Sequence, residues 1–420
     1  MKRQKAEILL VGTELLLGDI MDTNGKYLAR ELSKLGIDLY YQTVVGDNPK
    51  RLKEAVFKAL ERSDVVISSG GLGPTCDDIT RETFAEAFEM ELKRHEPTVE
   101  RLKGFFASVG RKMTDNNLRQ AMVPEGATVL TNDWGTAPGL YMTKDGKHAF
   151  LLPGPPRELE PMFTERVRPI LSAMSDRKFV SQTVQVYGIG ESALEEKLRD
   201  LMQGADPSLA PYAKDGEVLL RITSSGKDEA EAEEKNLGML KKVLERAGEY
   251  VYDVDGENLQ KALVARFSKK GLKIATAESL TGGLISERIT QISGASAVFE
   301  LGVCSYSDRI KNKILSVSDA SLEKYSAVSE QVAMEMAEGV RKLSGADIAV
   351  SATGYAGPTG ENVGLVYIGV SSVNGCRAVK LETGRRTGER EYIRSLAASR
   401  AIAEALREAG LFSFEFSPCK

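Results

Sequence analysis

Short runs of consecutive apolar residues alternate along this chain with longer stretches in which apolar positions recur every three or four residues. Ile8-Leu9-Leu10-Val11, Val65-Val66-Ile67 and Phe150-Leu151-Leu152 are of the first kind. Unbroken runs of this length suit strands buried on both faces, as in a parallel sheet. Residues 24–35 and 51–60 have helical spacing, and Gly36 stands where a helix C-cap belongs. Val44-Val45-Gly46-Asp47 reads as a second strand and turn, and residues 160–174 as a closing helix. This succession predicts a doubly wound α/β domain whose loops meet at the carboxyl ends of its strands.

Near residue 175 the pattern changes. Residues 180–187 read as a strand, 191–202 as a helix, 217–223 as an alternating strand and 230–247 as a charged amphipathic helix. A third section begins near Asn258 with a helix (259–269), a strand (273–276), a glycine turn and another helix. Strands follow near 348–351 and 363–370, then a long helix over 389–409. Residues 412–420 lack periodicity and read as a tail. The predicted organisation is an α/β domain over 1–174, a small α+β domain over 175–252, an α/β domain over 253–411, and the tail.

Composition narrows the function classes. The 420 residues are 42% hydrophobic and 28% charged, as in ordinary globular protein. With 56 Lys and Arg against 60 Asp and Glu, net charge −4, nothing points to nucleic acid bound by bulk charge. No apolar run approaches the roughly 18–20 residues that span a bilayer. Met1-Lys2-Arg3-Gln4-Lys5 leads into a strand-like run rather than a signal-peptide core, so a cytoplasmic location is expected. Cys76, Cys304, Cys376 and Cys419 form no CxxC, which argues against zinc and a disulfide framework. The two histidines, His95 and His148, both lie in the first half. A Ser-His-Asp triad therefore cannot be built from residues beyond 148 alone.

Three loops of the first domain follow predicted strands: Gly12-Thr13-Glu14, Gly46-Asp47-Asn48, and Gly70-Gly71-Leu72-Gly73-Pro74-Thr75-Cys76-Asp77-Asp78. Glycines let backbone N–H groups surround an anion. Glu14, Asp47 and Asp78 are hard oxygen donors for a Mg²⁺-like ion bridging phosphate oxygens. The plainer reading is tight turns with aspartate helix caps. In the last domain Ala277-Glu278-Ser279-Leu280-Thr281-Gly282-Gly283 joins a strand to a helix. A serine at such a turn can hold an oxyanion or phosphate, or Ser279 or Thr281 can simply be the N-cap of a helix over 283–291.

The Gly70-to-Thr80 loop with Pro153-Gly154-Pro155-Pro156 resembles the molybdopterin-binding fold. Gly12-Thr13-Glu14-Leu15-Leu16-Leu17-Gly18-Asp19 and Asp22-Thr23-Asn24 narrow the resemblance to the first domain of the CinA family (competence/damage-inducible protein A). The resemblance implies metal-dependent hydrolysis of ADP-ribose to AMP and ribose 5-phosphate. Glu14, Asp47 and Asp78 would hold the divalent ion, magnesium by expectation, and Gly70, Gly71, Gly73, Thr75 and Asn24 the substrate. Pterin binding is the fold's other use.

Ser279-Leu280-Thr281-Gly282-Gly283, Tyr306 with Lys311, Thr353-Gly354-Tyr355-Ala356-Gly357-Pro358, and Arg390 with Arg394 resemble the family's other domain, which also occurs alone as a nicotinamide-nucleotide amidohydrolase (NMN deamidase). Leu280 and Tyr355 replace the family's usual cysteine and isoleucine, so no cysteine at position 280 is a nucleophile. The resemblance implies Ser279 as nucleophile, Tyr306 and Lys311 as partners, and Thr281, Gly282, Gly283, Thr353, Gly354, Arg390 and Arg394 as substrate contacts, with no cofactor. A desolvated lysine would be the base toward Ser279, directly or through Tyr306. The middle segment resembles the family's small KH-like domain. It lacks a basic GxxG loop, so a spacer or dimerisation role is favoured over RNA binding. The expectation is a homodimeric hydrolase of NMN and ADP-ribose that engages no membrane or nucleic acid. The rival is a non-catalytic competence or stress accessory protein that binds nucleotide or pterin.

Overall fold

The first apolar run becomes β1 (Lys5–Val11), and its side chains alternate between two cores. It lies parallel to β2 (Asp38–Val45) on one side and β3 (Val65–Ser69) on the other. β8 (Lys147–Leu152) continues the parallel set beside β3, and β7 (Gly139–Lys144) and β6 (Thr128–Leu130) add antiparallel strands. The order is β2-β1-β3-β8-β7-β6. A ribbon of β4 (Leu92–Arg94) and β5 (Met122–Pro124) stands apart. The protein is described here by a computed structural model covering residues 4–174, 177–383 and 389–414. The chain divides into two compact units, Met1–Ser181 with Ser225–Glu233, and Gln182–Ser224 with Glu234–Lys420.

Helices cover both faces of the first sheet. α2 (Asn24–Lys34), α6 (Pro156–Met162) and α7 (Arg168–Ala173) bring Leu28, Leu32, Leu159 and Leu171 against Ile8, Leu10 and Ile67. α3 (Pro49–Arg62) and α4 (Thr80–Ala87) bring Leu52, Val56 and Phe84 against Leu9, Val11 and Val66. α1 (Thr13–Leu17) is a short turn after β1, and α5 (Glu96–Ser108) carries a small satellite core. The closing helix expected over 160–174 is interrupted by a π-turn at Phe163–Val167. Pro169 at the start of α7 has no N–H to give to the preceding turn, so the regular ladder cannot pass through it. The second strand begins earlier than predicted because β2 is an edge strand, and its largely exposed residues form no apolar run.

A second sheet, most of whose residues belong to the second unit, has the order β10-β11-β9-β12, from β9 (Lys178–Tyr187), β10 (Ser208–Lys214), β11 (Glu217–Gly226) and β12 (Val251–Val254). α8 (Glu191–Met202) and α9 (Glu229–Ala247) close it, with Leu194, Leu198 and Val243 on Val184, Val186 and Leu220. The other sheet contains β13 (Ile274–Glu278), β14 (Phe299–Cys304), β15 (Ile348–Gly354), β16 (Leu365–Ser372) and β17 (Gly375–Glu382), ordered β14-β13-β15-β16-β17. β14, β13 and β15 are parallel, and β16 and β17 are antiparallel additions. α10 (Leu259–Lys270), α11 (Leu284–Thr290) and α15 (Arg390–Glu408) cover one face. α12 (Asp308–Leu315), α13 (Asp319–Tyr325) and α14 (Glu330–Ser344) cover the other.

Phe412, which the pattern assigned to the tail, is buried beside Tyr187 and Tyr252, with ring centroids 6.5 and 6.3 Å away. Residues 415–420 of the expected tail lie outside the described residues. Among the described residues no helix is long and apolar enough to cross a membrane.

Candidate functional site

Each unit gathers loops at the carboxyl ends of parallel strands, where a sheet leaves an open crevice. In the first unit a cavity of about 370 Å³ is lined by Glu14 after β1, Asp47 after β2, the Gly70–Asp78 loop after β3 and Pro153–Pro155 after β8. Gly70 is fixed by its surroundings: φ is +100°, and a Cβ there would lie 2.2 Å from the Val11 carbonyl oxygen. Among the described residues the N–H groups of Gly71, Leu72 and Gly73 donate to nothing, which leaves three donors for an anion. Thr80 holds the loop by donating its hydroxyl to the Gly70 carbonyl at 2.9 Å. Arg119, which the sequence did not single out, donates to the carbonyls of Thr75 and Asp78.

The three predicted acids line this cavity without forming a cage. Among the described residues no group of three His, Cys, Asp or Glu side chains is disposed to hold a metal ion. The reason is local. One Asp47 oxygen accepts from the Thr13 N–H and hydroxyl, both at 2.9 Å, and one Asp78 oxygen accepts from the Thr75 N–H at 2.9 Å and from its hydroxyl. The second oxygen of each aspartate makes no hydrogen bond among the described residues. Such hard donors suit a magnesium-like ion that keeps waters and shares substrate oxygens, a binding mode that needs only one or two carboxylates. Asn24, at the start of α2, donates to Ser69 (2.9 Å) and to the Gly154 carbonyl (2.6 Å). It thereby ties the β3 end to the proline turn beside a second cavity of about 310 Å³.

In the second unit, β14, β13 and β15 end side by side. Their register pairs Glu278 with Cys304 and with Ala352. Past those ends the Ser279 N–H donates to the Ala352 carbonyl at 2.9 Å, and the Ser305 N–H to the Glu278 carbonyl at 2.8 Å. Ser279, Tyr306 and the loop after Thr353 thus leave one edge. Arg390 and Arg394, one turn apart on α15, bind them from above. Arg390 donates to the Tyr306 hydroxyl (2.9 Å) and the Gly357 carbonyl (2.8 Å), and Arg394 to the carbonyls of Leu280 (3.2 Å) and Thr281 (2.7 Å).

Neither Ser279 nor Thr281 caps the helix that follows. The cap is Glu278, 0% exposed, which receives the N–H groups of Gly283, Ile285 and Ser286 and the Ser286 hydroxyl at 2.6–3.0 Å. Among the described residues the Ser279 hydroxyl has no hydrogen-bond partner, and the N–H groups of Leu280 and Thr281 donate to nothing. A hydroxyl followed by two unpaired N–H groups is the arrangement of a nucleophile with an oxyanion hole. Gly282 and Gly283 make the bend possible, with φ of +59° and +99°.

Lys311 is 2% exposed at the start of α12, and its ammonium donates to Asp308 at 3.3 Å rather than to Ser279. Tyr306 is exposed, and its ring is free to meet solvent. Thr353, expected at the substrate, instead donates its hydroxyl to the Ala327 carbonyl at 2.7 Å and is 1% exposed. Gly354 is packed against the backbone of β16, where a Cβ would lie 2.6 Å from the Leu365 carbonyl oxygen. Cys304 lies close enough to Gly283 for its sulfur to touch a Cβ added there, at 3.4 Å. Burial pushes its thiol up, which disfavours the nucleophilic thiolate.

Comparison with known proteins accounts for the chain in three consecutive blocks. Residues 7–173 match the family described as "Probable molybdopterin binding domain", 181–252 "Damage-inducible protein CinA KH domain", and 256–409 "CinA C-terminal domain". A CinA-like protein of Kosmotoga olearia is 47% identical over 95% of this chain and 97% of its own. The chain belongs to the CinA family. A CinA-like protein of Dictyoglomus turgidum is 48% identical over 87% of this chain and 90% of its own. Among solved structures, "the protein CinA with unknown function" from Thermoplasma acidophilum is 34% identical and covers 40% of this chain and 98% of its own, with a TM-score of 0.37. The architecture is therefore a molybdopterin-binding-type α/β domain, a KH-type middle domain and a CinA C-terminal α/β domain.

Proposed function

We propose that this CinA-family chain is a hydrolase of pyridine-nucleotide salvage with two independent sites. The C-terminal edge would release ammonia from the carboxamide of nicotinamide mononucleotide, and the N-terminal edge would split ADP-ribose into AMP and ribose 5-phosphate. The observation that carries the first part is the Ser279 hydroxyl, without a hydrogen-bond partner among the described residues, followed by the unpaired N–H groups of Leu280 and Thr281.

In this reading Ser279 attacks the carboxamide carbon, and the carbonyl oxygen gathers charge against the Leu280 and Thr281 N–H groups. Lys311, released from Asp308 and with its ammonium proton given up to water, takes the serine proton as a neutral amine, directly or through Tyr306, and delivers it to the departing ammonia. Arg390 already uses one lone pair of the Tyr306 oxygen, so the phenolic hydrogen remains free to be donated. Water then attacks the acyl-serine and releases the nicotinate carboxylate. The whole scheme runs without imidazole, as a half with no histidine requires.

At the N-terminal edge, the Gly71, Leu72 and Gly73 N–H groups would receive phosphate oxygens, and Asp47 and Asp78, with Glu14 beside them, would hold a magnesium-type ion shared with the substrate. That ion, when bound, neutralises charge on the pyrophosphate. Arg119 keeps the aspartate loop in place through its carbonyls. Incubating the protein with both nucleotides and resolving the products by mass spectrometry tests the two halves separately. Nicotinate mononucleotide and AMP are the expected products, and unchanged substrates would sink the proposal.

A further inference from the structure

A cavity of about 370 Å³ lies in the second unit between the β9–α8 junction, the β10–β11 turn and the side of α15, away from the Ser279 edge. Its shape depends on Gly216 in that turn, where φ is +75° and a Cβ would lie 2.4 Å from Leu396 on α15. Ile189, Val218, Leu381 and Leu396 give it apolar walls. The polar groups that face it are few, the composition of a small-molecule pocket rather than a solvent channel.

Four of those groups lack a settled partner of their own. Tyr187 is 6% exposed and meets Phe412 edge-on, yet its hydroxyl has no hydrogen-bond partner among the described residues. Burial pushes that phenol up to about 12, so it keeps its hydrogen and can only donate it to an anion. Lys214 donates to the Gln185 side-chain oxygen at 3.2 Å, and its charge also acts on the Glu217 carboxyl across the β10–β11 turn. Arg400 meets one acid, Glu404 at 3.0 Å, which Arg377 (2.9 Å) and Arg407 (2.7 Å) also claim. The twelve-residue α8 starts at Gly190 without a side-chain cap, and among the described residues the N–H groups of Glu191, Ser192 and Ala193 donate to nothing. Two acids also line it: Glu191, which is exposed, and Glu217, whose carboxyl burial raises above its ordinary range and which accepts the Tyr252 hydroxyl at 2.6 Å.

We propose that this cavity binds a small phosphomonoester with a flat apolar body, the phosphate meeting Arg400, Lys214, the Tyr187 hydroxyl and the start of α8, and the body lying on Leu381 and Leu396. Two cations and a helix start suit a doubly charged head with three acceptor oxygens better than a carboxylate. The apolar walls give the rest of the molecule a reason to enter.

Calorimetric titration of the full chain with phenyl phosphate, inorganic phosphate, benzoate and phenol tests this. Phenyl phosphate should bind at least about tenfold tighter than any of the other three. Tyr187→Phe keeps the ring on Phe412, and Lys214→Ala alters an exposed side chain, so both should fold with unchanged melting temperature. Each should weaken phenyl phosphate roughly ten- to a hundredfold, the range of a single lost hydrogen bond to a charged group. Arg400→Gln should weaken it further. Absence of binding at millimolar phenyl phosphate, benzoate binding as tightly, or affinity unmoved in Tyr187→Phe and Lys214→Ala would each overturn the site. The result stands or falls independently of both proposed activities.

Discussion

Ser286 gives both its N–H and its hydroxyl to one oxygen of the Glu278 carboxylate, at 2.9 and 2.6 Å. The other oxygen receives Gly283 and Ile285, so a fully buried carboxylate has four donors at the start of α11. Burying a charge is tolerable only with such complete pairing, and the positive end of the helix adds to it. The bend that presents Ser279 is therefore built on its preceding residue. Glu278→Gln replaces one acceptor by an N–H₂ that faces the Ser286 donors, and should cost roughly 2–3 kcal/mol. Urea denaturation measures it, and a loss near zero would mean that the bend does not need the charge.

Removal of the Ser279 hydroxyl should abolish ammonia release from nicotinamide mononucleotide without touching the fold. Ser279→Ala is expected to retain the wild-type denaturation midpoint and fall to background turnover. Lys311→Arg should fail as well, because a guanidinium stays protonated at any working pH. Substantial activity in either variant, measured by coupled ammonia detection, would remove that residue from the mechanism.

Much of this frame was visible in the amino-acid order, and the exceptions share a physical cause. β1, β3 and β8 are buried on both faces, so they read as unbroken apolar runs. β17 is an edge strand of mostly exposed or half-buried residues, and it escaped notice. Ser279, Tyr306 and Arg390 were recognisable by their motifs, but their meeting depends on three strand ends and a distant helix. Glu278 left no signal because a capping side chain usually stands directly before its helix, whereas this one is the last residue of β13, several positions ahead of α11. Arg119 acts through backbone carbonyls, which no residue type announces.

At the N-terminal edge, one oxygen of Asp47 is bound by Thr13 of the loop after β1 and one of Asp78 by Thr75 of its own loop, and the second oxygen of each has no hydrogen-bond partner among the described residues. Asp78→Asn should keep much of the loop, since an amide oxygen still accepts from Thr75, while it weakens the hold on a cation. AMP formation from ADP-ribose is expected to fall on the order of a hundredfold, the scale of one lost electrostatic contact at a reacting centre. EDTA should abolish it, and magnesium should restore it. Ammonia release at the other edge should be unaffected by either treatment. AMP formation indifferent to EDTA would leave the acids without a metal to hold.

Glu217 links stability to pH with a definite sign. Its carboxyl is raised above the ordinary range, first by burial and against the pull of Tyr252, Lys214 and Arg288. The folded chain therefore keeps a proton that the unfolded chain releases. That contribution to stability is complete below the ordinary carboxylate range and is lost as pH rises through the elevated value. Glu217→Gln cannot ionise, and its amide oxygen can still accept the Tyr252 hydroxyl. The variant should therefore gain on the wild type as pH rises from about 4 to 7, the interval above the free carboxylate value. Denaturation midpoints of the two proteins at several pH values make the comparison, because other groups titrate equally in both. A wild type that instead gained on the variant with rising pH would mean that the folded state favours the ionised carboxylate.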